Sequence, residues 1–215
     1  MGHVDRDRSL AAAAQPGAIV DALRVVCEEN GHCWLQDGTA VRFRLVEPAD
    51  VPACHEMLSA CSRKSLYSRY ERAVTGPLAE LAEGLCSPDL SEELTVVAET
   101  CVDGSNVLIG IAQLLAGPPR EAAEYAVLVA DPWQSKGLGG AFTDCCLRLA
   151  HAWGIRRVVA EFLPGNMRII RILEKRSFDI YRDMQEHAVS GQKHIDERDG
   201  VRVPGGGPTD GNAIV

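Results

Sequence analysis

The chain has 215 residues, of which 46% are hydrophobic and 24% are charged, and its formal net charge is −8. This composition is typical of one folded domain, and the negative charge argues against binding to nucleic acid or to an anionic membrane surface. No apolar run reaches the ~18 residues of a membrane span, and the N-terminus lacks the layout of a signal peptide. The eight cysteines include no C-x-x-C pair, which argues against a metal site and favours a cytoplasmic protein with reduced thiols.

Apolar periodicity predicts strands first and then alternating strands and helices. The predicted helices cover residues 18–30, 64–73, 78–84, 138–153 and 166–175. One more helix is predicted after Asp50, which is expected to cap it, with Pro52 in its first turn. The predicted strands cover residues 41–45, 94–101, 106–115, 124–130, 157–163 and 181–195, with a hairpin signal at 102–105. We therefore expect an N-terminal arm over residues 1–37, one α/β domain of layered α+β type over residues 38–195, and a disordered, glycine-rich tail over residues 196–215.

The most informative segment reads QSKGLGG over residues 134–140 and joins a predicted strand to a predicted helix. Such a turn gathers unpaired backbone N–H groups at the positive end of the helix dipole, so it predicts an anion-binding site. A P-loop would require G-x-x-x-x-G-K-[ST], which does not occur in the chain. A dinucleotide fingerprint would require glycine where Phe142 stands.

Residues 134–139 resemble the Q/R-x-x-G-x-G/A loop of the GNAT acyltransferase superfamily, which wraps the pyrophosphate of acetyl-CoA. The resemblance extends over about residues 39–195, and the other segments that carry it are RFRLVEPAD (42–50), SRKSLYSRY (62–70), and Asn166 followed by RIIRILEKRSF (168–178). Within the superfamily the chain most resembles bacterial protein-lysine acetyltransferases of the Pat type. The resemblance implies a mixed, mostly antiparallel central sheet flanked by helices.

The same resemblance implies acetyl-CoA as co-substrate and no metal. Backbone groups at Val127, Leu128 and Val129 are expected to bind the pantetheine arm, as an added strand would. Asn166 is expected to reach the pantetheine, although capping of a helix explains this residue as well. The pyrophosphate is expected to lie on the loop residues Gln134, Ser135, Lys136, Gly137, Leu138, Gly139 and Gly140.

Glu124 stands ten positions before Gln134, where the resembling enzymes carry the glutamate that accepts the proton of the amine. A positioned carboxylate of this kind typically contributes ~10²- to 10⁴-fold to the rate. The apolar neighbours of Glu124 predict that its carboxylate is buried. Glu121 and Glu161 are competing candidates for the base.

Two positions depart from the superfamily pattern. Leu173 stands where many members carry a tyrosine that protonates the departing thiolate, a residue that Pat-type enzymes often lack too. Ser177 replaces the glycine before Phe178 and is expected to alter a turn.

We expect an N-acetyltransferase that transfers the acetyl group directly to a lysine of a protein partner. Two alternatives stand beside it. One is acetylation of a small-molecule amine, and the other is binding of acyl-CoA as a sensor or partner subunit without turnover, in which case the loop is intact but Glu124 points outward and does not act as a base. Ser65, Tyr67, Arg69 and Tyr70 are candidates to shape the acceptor groove, although a packed helix face explains the two tyrosines equally well.

Overall fold

The computed structural model describes residues 31–117, 121–183 and 188–196 together with Asp199. The predicted helix over residues 18–30 lies outside the described residues. So does the predicted tail, apart from Asp196 and Asp199.

An eight-stranded sheet forms the centre of the molecule, in the order β1-β2-β3-β4-β5-β6-β8-β7. Its strands are β1 (His32–Trp34), β2 (Ala40–Leu45), β3 (Glu93–Val102), β4 (Ser105–Leu115), β5 (Ala122–Val129), β6 (Arg157–Phe162), β7 (Asp179–Asp183) and β8 (Ala188–His194). Neighbouring strands are antiparallel except β5 and β6, which are parallel. The predicted mixed, mostly antiparallel sheet is therefore confirmed.

Helices cover both faces of this sheet. They are α1 (Val51–Ser59), α2 (Arg63–Tyr70), α3 (Leu78–Leu85), α4 (Leu138–Trp153) and α5 (Met167–Glu174), with 3₁₀ turns at Pro48–Asp50 and Asp131–Trp133. The larger core lies between the sheet and α4 and α5, where the rings of Phe43 and Phe142 meet edge to face with centroids 5.0 Å apart. A second core lies under α1, α2 and α3 on the opposite face. Within the described part of the chain, no helix is long and apolar enough to cross a membrane.

The start of α1 was predicted at the right place, but Asp50 does not cap the helix as expected. The Asp50 side chain makes no capping bond to α1. Its carboxylate instead accepts hydrogen bonds from the guanidinium of Arg44, at 2.7 and 2.8 Å, and from the backbone N–H of Glu47 at 2.8 Å. The charged partner outcompetes the helix N–H groups because charge-assisted bonds are roughly twice as strong as neutral ones.

The predicted single strand over residues 181–195 is wrong, because this segment forms parts of the two antiparallel strands β7 and β8. Residues 184–187 contain no glycine, proline, asparagine or aspartate, so the sequence carries no signal that one strand ends at Asp183 and another begins at Ala188. The short edge strand β1 was not predicted either. Three residues are too few to show a periodicity of two.

Candidate active site

A cleft opens in the sheet between the parallel strands β5 and β6. These strands pair with each other only through Ala122–Glu124 and Arg157–Val159. Beyond this point β5 stays paired with β4 as far as Val129, and β6 stays paired with β8 as far as Phe162. The backbone of β5 after Glu124 therefore has one edge that faces the cleft.

Hydrogen bonding to β4 determines which residues of β5 present their backbone to this cleft. The N–H of Ala130 donates to the carbonyl of Ile109 at 3.1 Å. Because alternate residues of a strand direct their backbone groups to opposite sides, those of Leu128 face β4, whereas those of Val127 and Val129 face the cleft. The structure thus brings two of the three predicted pantetheine contacts to the cleft edge and leaves Leu128 out of it.

The glycine loop, residues 134–140, follows β5 and leads into α4. Ser135 and Gly137 both adopt the left-handed region, with φ of 62° and 98°. Gly137 is the N-cap of α4, and its carbonyl accepts the first helical bond from Ala141 at 3.1 Å. The three residues after Gly137 therefore contribute N–H groups without a partner inside the helix, at the positive end of the dipole of a 16-residue helix. This arrangement suits an anion.

Helix α5 and Arg176, which follows it, pack against the first turn of α4. The Leu138 side chain is buried in the core. A Cβ atom at Gly139 would lie 3.1 Å from Cδ1 of Ile172, and one at Gly140 would lie 2.7 Å from Nη2 of Arg176. Small residues at these two positions therefore let α5 pack closely against the start of α4.

Gln134 connects three elements around the mouth of the cleft. Its Nε2 atom lies 3.0 Å from the carbonyl oxygen of Val129 and 2.9 Å from Oγ of Ser65 on α2. Its Oε1 atom accepts a hydrogen bond of 2.5 Å from Arg168 on α5. The predicted loop residue Gln134 thus fixes the end of β5 relative to α2 and α5.

Lys136 is held by the turn between β1 and β2. Its Nζ atom lies 3.0 Å from Asp37 and 4.6 Å from the centre of the Trp133 ring. Hydrogen bonds from Thr39 and from Lys136 lower the pKa of Asp37 to about 2. The backbone N–H of Gln36 donates to the carbonyl of Lys136 at 3.0 Å. Sequence reasoning missed Gln36 and Asp37, because nothing in the turn sequence indicates that it packs on the glycine loop.

Asn166 lies at the start of α5, and its side chain has two partners. Oδ1 accepts a bond from the N–H of Ile169 at 3.4 Å, so the residue does cap the helix. Nδ2 donates to Oγ of Ser68 on α2 at 2.9 Å. Asn166 therefore joins the loop after β6 to α2.

Glu124 is the last residue of β5 that pairs with β6, with Val159 as its partner. Its side chain is exposed and shares a strand face with that of Leu128, which packs into the core under α1 to α3. Of the apolar neighbours that suggested burial, Tyr125 and Val127 point into the other core, because successive side chains of a strand alternate between the two faces, and Ala126, on the same face as Glu124, does not cover it. The expected burial of Glu124 is therefore wrong.

The two competing carboxylates occupy different places. Glu161 lies two residues beyond Val159 on β6, so its exposed side chain is on the same face as that of Glu124 and on the opposite bank of the cleft. Glu121 precedes β5 at the closed end, where its carboxylate lies 4.0 Å from Nη1 of Arg156. The structure thus brings Glu161 to the cleft but not Glu121.

A polar network crosses the sheet beside Glu124. Arg69 on α2 donates to Oε1 of Gln113, and Nε2 of Gln113 donates to Oε1 of Glu93. Oε1 of Glu93 also accepts a bond of 2.7 Å from the hydroxyl of Thr95. Burial lowers the pKa of Arg69, and this effect outweighs nearby groups, among them Tyr70 and Glu124, that raise it. Of the residues in this network, the sequence analysis named only Arg69. The signal that could have revealed the network is Gln113, a polar residue within the apolar run of β4.

The two departures from the superfamily pattern have different consequences. Leu173 is fully buried, and its Cδ1 atom lies 3.0 Å from the position of a Cβ at Gly191, so this residue faces the core. Ser177 has a φ of 61°, so the turn keeps the left-handed conformation that glycine favours.

The family model described as acetyltransferase (GNAT) domain matches residues 40–179, which is more than half of the chain. The matched residues include the four strands β2 to β5, the glycine loop and α5.

Several solved structures share this fold. The GNAT domain of S. lividans PAT has a TM-score of 0.68 and 23% identity, over 76% of this chain and 96% of that one. RimJ from Mycobacterium smegmatis, solved in complex with CoA-disulfide, has a TM-score of 0.61 and 16% identity, over 76% and 86% of the two chains. Spermidine N-acetyltransferase from Vibrio cholerae, solved with CoA and spermine, has a TM-score of 0.59 and 16% identity, over 72% and 95%.

Proposed function

The chain belongs to the GNAT acetyltransferase family, and we propose that it transfers the acetyl group of acetyl-CoA to the side-chain amine of a protein lysine, through a domain spanning residues 38–195. The observation that carries this proposal is the order of groups along β5. The anion-binding loop follows its carboxyl end, the cleft-facing backbone of Val127 and Val129 comes before it, and Glu124 lies where the cleft closes.

Acetyl-CoA binds along this line. Backbone N–H groups of residues 134–140 hold the pyrophosphate, and Lys136 adds a positive charge beside it. The amide groups of the pantetheine pair with the cleft-facing backbone edge at Val127 and Val129, as an added strand does. Asn166 lies on the other bank and supplies a side-chain amide to the same arm.

Transfer is direct, and Glu124 is the general base. The amine nitrogen attacks the thioester carbon, the C–N bond forms, the C–S bond breaks, and CoA leaves as the thiolate. A free lysine has a pKa near ~10.4, so only about one amine in 10³ is nucleophilic at neutral pH. Glu124 takes the proton of the amine directly or through a water molecule. The thiolate leaves without an acid from the protein at position 173, since a thiol has a pKa near ~8.5.

A protein lysine is the leading acceptor for two reasons. The segment at residues 62–70 resembles that of Pat-type protein-lysine acetyltransferases, and in the structure it forms α2, which lies over the face that carries Glu124. The net charge of −8 also favours a partner with a basic surface.

A small cationic amine is the second candidate acceptor. Glu124 and Glu161 face the same side on opposite banks of the cleft, and two exposed carboxylates suit an acceptor with more than one amine. The spermidine N-acetyltransferase with the same fold was solved with spermine.

A coupled assay of CoA thiol release tests the proposal, with acetyl-CoA and a panel of lysine-bearing proteins, polyamines and amino acids. We expect thiol release that depends on a lysine-bearing protein, with acetylation of that lysine in mass spectra. Release with small amines alone would favour the second candidate. If acetyl-CoA binds but no acceptor releases thiol, the chain is an acyl-CoA sensor.

A further inference from the structure

We propose that Arg69 binds a carboxylate of the acceptor, so that the preferred acceptor carries an acidic group close to the amine that is acetylated. This inference rests on the proposed function and names the class of substrate for the same site. It concerns a residue that takes no part in the chemistry described above.

Arg69 lies beside the base and over the same face of the sheet. Its Nη2 atom donates to Oε1 of Gln113 on β4. Gln113 pairs in register with Ala126 on β5, and Glu124 is two residues further along the same face. Two residues of a strand span about 7 Å, so the guanidinium is bonded to a side chain whose partner on β5 lies about 7 Å from Glu124 along the strand.

The guanidinium has hydrogen-bonding capacity to spare. It carries five N–H donors, and over the described ranges the bond to Gln113 is the single hydrogen bond that Arg69 donates. Within the same ranges no carboxylate oxygen lies within 4.0 Å of its nitrogens. The nearest acid in the network, Glu93, is reached through Gln113. The guanidinium also lies over the Tyr70 ring, whose centre is 4.9 Å away.

Two other partly buried arginines show what Arg69 lacks. Arg44 makes two hydrogen bonds to Asp50, at 2.7 and 2.8 Å. Arg176 makes two to Asp144, both at 2.6 Å. A partly desolvated cation is costly unless an anion accompanies it. Glu124 and Glu93 act on Arg69 from a distance, but no carboxylate within the described ranges contacts its guanidinium, so an anionic group of the ligand can bind the N–H groups that Gln113 leaves free.

A carboxylate is the group that this donor set recognises best, because the planar guanidinium can give it two parallel N–H bonds. This chemistry has two sources. One is an acidic residue that neighbours the lysine in a protein, and the other is the carboxylate of a free amino acid. In both cases the amine lies at Glu124 and the acid at Arg69.

The test compares two matched pairs of acceptors. One pair is a peptide with glutamate beside its lysine and the same peptide with glutamine there, and the other is a free amino acid and its amide. We measure kcat/KM for the wild type, for Arg69→Gln and for Arg63→Gln, a control on an exposed residue of the same helix. The acid-bearing member should be favoured by about tenfold or more, as expected for a charge-assisted bond. Arg69→Gln should lose this preference, and Arg63→Gln should keep it.

The outcomes separate the inference from the proposed function. A wild type that acetylates both members of each pair equally overturns the inference and leaves the transferase proposal standing. An equal loss on both members in Arg69→Gln also overturns it, because the residue then acts on the fold or on the thioester. Acetylation of none of the four acceptors removes both proposals. If Arg69→Gln does not fold, Arg69→Lys takes its place: a smaller preference for the acid-bearing acceptor than in the wild type supports the inference, and an unchanged preference overturns it. Whichever pair of acceptors shows the preference, the peptides or the free amino acid and its amide, identifies the source of the carboxylate.

Discussion

The side-chain nitrogen of Gln134 lies 3.0 Å from the carbonyl oxygen of Val129, so the first residue of the glycine loop already occupies a backbone acceptor at the end of β5. A pantetheine amide that binds this carbonyl must either share it with Gln134, since a carbonyl oxygen accepts two hydrogen bonds, or replace the bond. The same nitrogen lies 2.9 Å from Ser65 on α2. Occupation of the cofactor cleft and the position of α2 are therefore linked through one amide group.

Replacement of the loop glycines should abolish binding of acetyl-CoA. A ligand at ~100 times its Kd stabilises a protein by about 2.7 kcal/mol, which thermal unfolding detects as a rise in Tm. Gly137→Glu and Gly139→Glu should lose this rise, because both add a negative charge to the loop. In addition, the φ of 98° at Gly137 is strained for any side chain, and a Cβ at Gly139 would lie 3.1 Å from Ile172 and disturb the first turn of α4. Gly84→Glu is the control, since Gly84 is exposed on α3 with open space around its Cα. A full rise in either loop variant would exclude the assignment.

Glu124→Gln should keep the affinity for CoA and lower kcat by ~10²- to 10⁴-fold, because an amide retains the shape but accepts no proton. The loss should shrink at high pH, where more of the amine is already neutral. Rate profiles against pH for the wild type, Glu124→Gln and Glu161→Gln measure both effects. Full activity in Glu124→Gln with a large loss in Glu161→Gln would move the base to the other bank of the cleft.

A lysine on a folded protein should outcompete free lysine and other small amines. Attraction between the acidic chain and a basic surface is screened beyond ~8 Å at physiological ionic strength. Acetylation of the protein should therefore slow as salt rises, mainly through slower association. The comparison is kcat/KM for both acceptor types at low and high salt. A tenfold advantage for a small amine at both salt concentrations would contradict the protein-lysine reading.

Gly110→Ala should destabilise the fold by about 1–3 kcal/mol, the usual range for overpacking of a core. A Cβ atom at Gly110 would lie 2.8 Å from Cε2 of Phe142 and 2.9 Å from the backbone oxygen of Leu128. The backbone oxygen cannot move aside without disturbing β5. Urea denaturation measures the change. Gly84→Ala is the matched control and should stabilise α3 by up to ~1 kcal/mol, so equal effects of the two substitutions would contradict the packing of β4 against α4.

Local signals predicted α4 well. The structure places this helix at Leu138–Trp153, as the sequence predicted, because glycine stands at both ends and an apolar stripe runs between them. The same local patterns located β2, the hairpin of β3 and β4, and α5 to within about two residues.

Features that depend on distant partners were not predictable in this way. The exposure of Glu124 follows from its strand face, and two of the three apolar residues that suggested burial, Tyr125 and Val127, lie on the other face. The pair between Asp37 and Lys136 and the network at Arg69 join residues that are 99 and 44 positions apart. Such contacts depend on how the elements pack, and a single sequence does not carry that information directly.

Strand β5 connects the two parts of the proposed site. From Val129 to Glu124 it spans five residues, or about 16 Å, and in the proposed mechanism this length sets the distance between Glu124 and the glycine loop. An insertion of two residues within this stretch would keep every side chain on its own face but displace Glu124 by about 7 Å along the strand. Acetyl-CoA could still bind to such a chain, but its thioester would lie about 7 Å from Glu124 along the strand. In the proposed mechanism, the alignment of the thioester with Glu124 therefore depends on the number of residues between Val129 and Glu124 as well as on the chemical groups themselves.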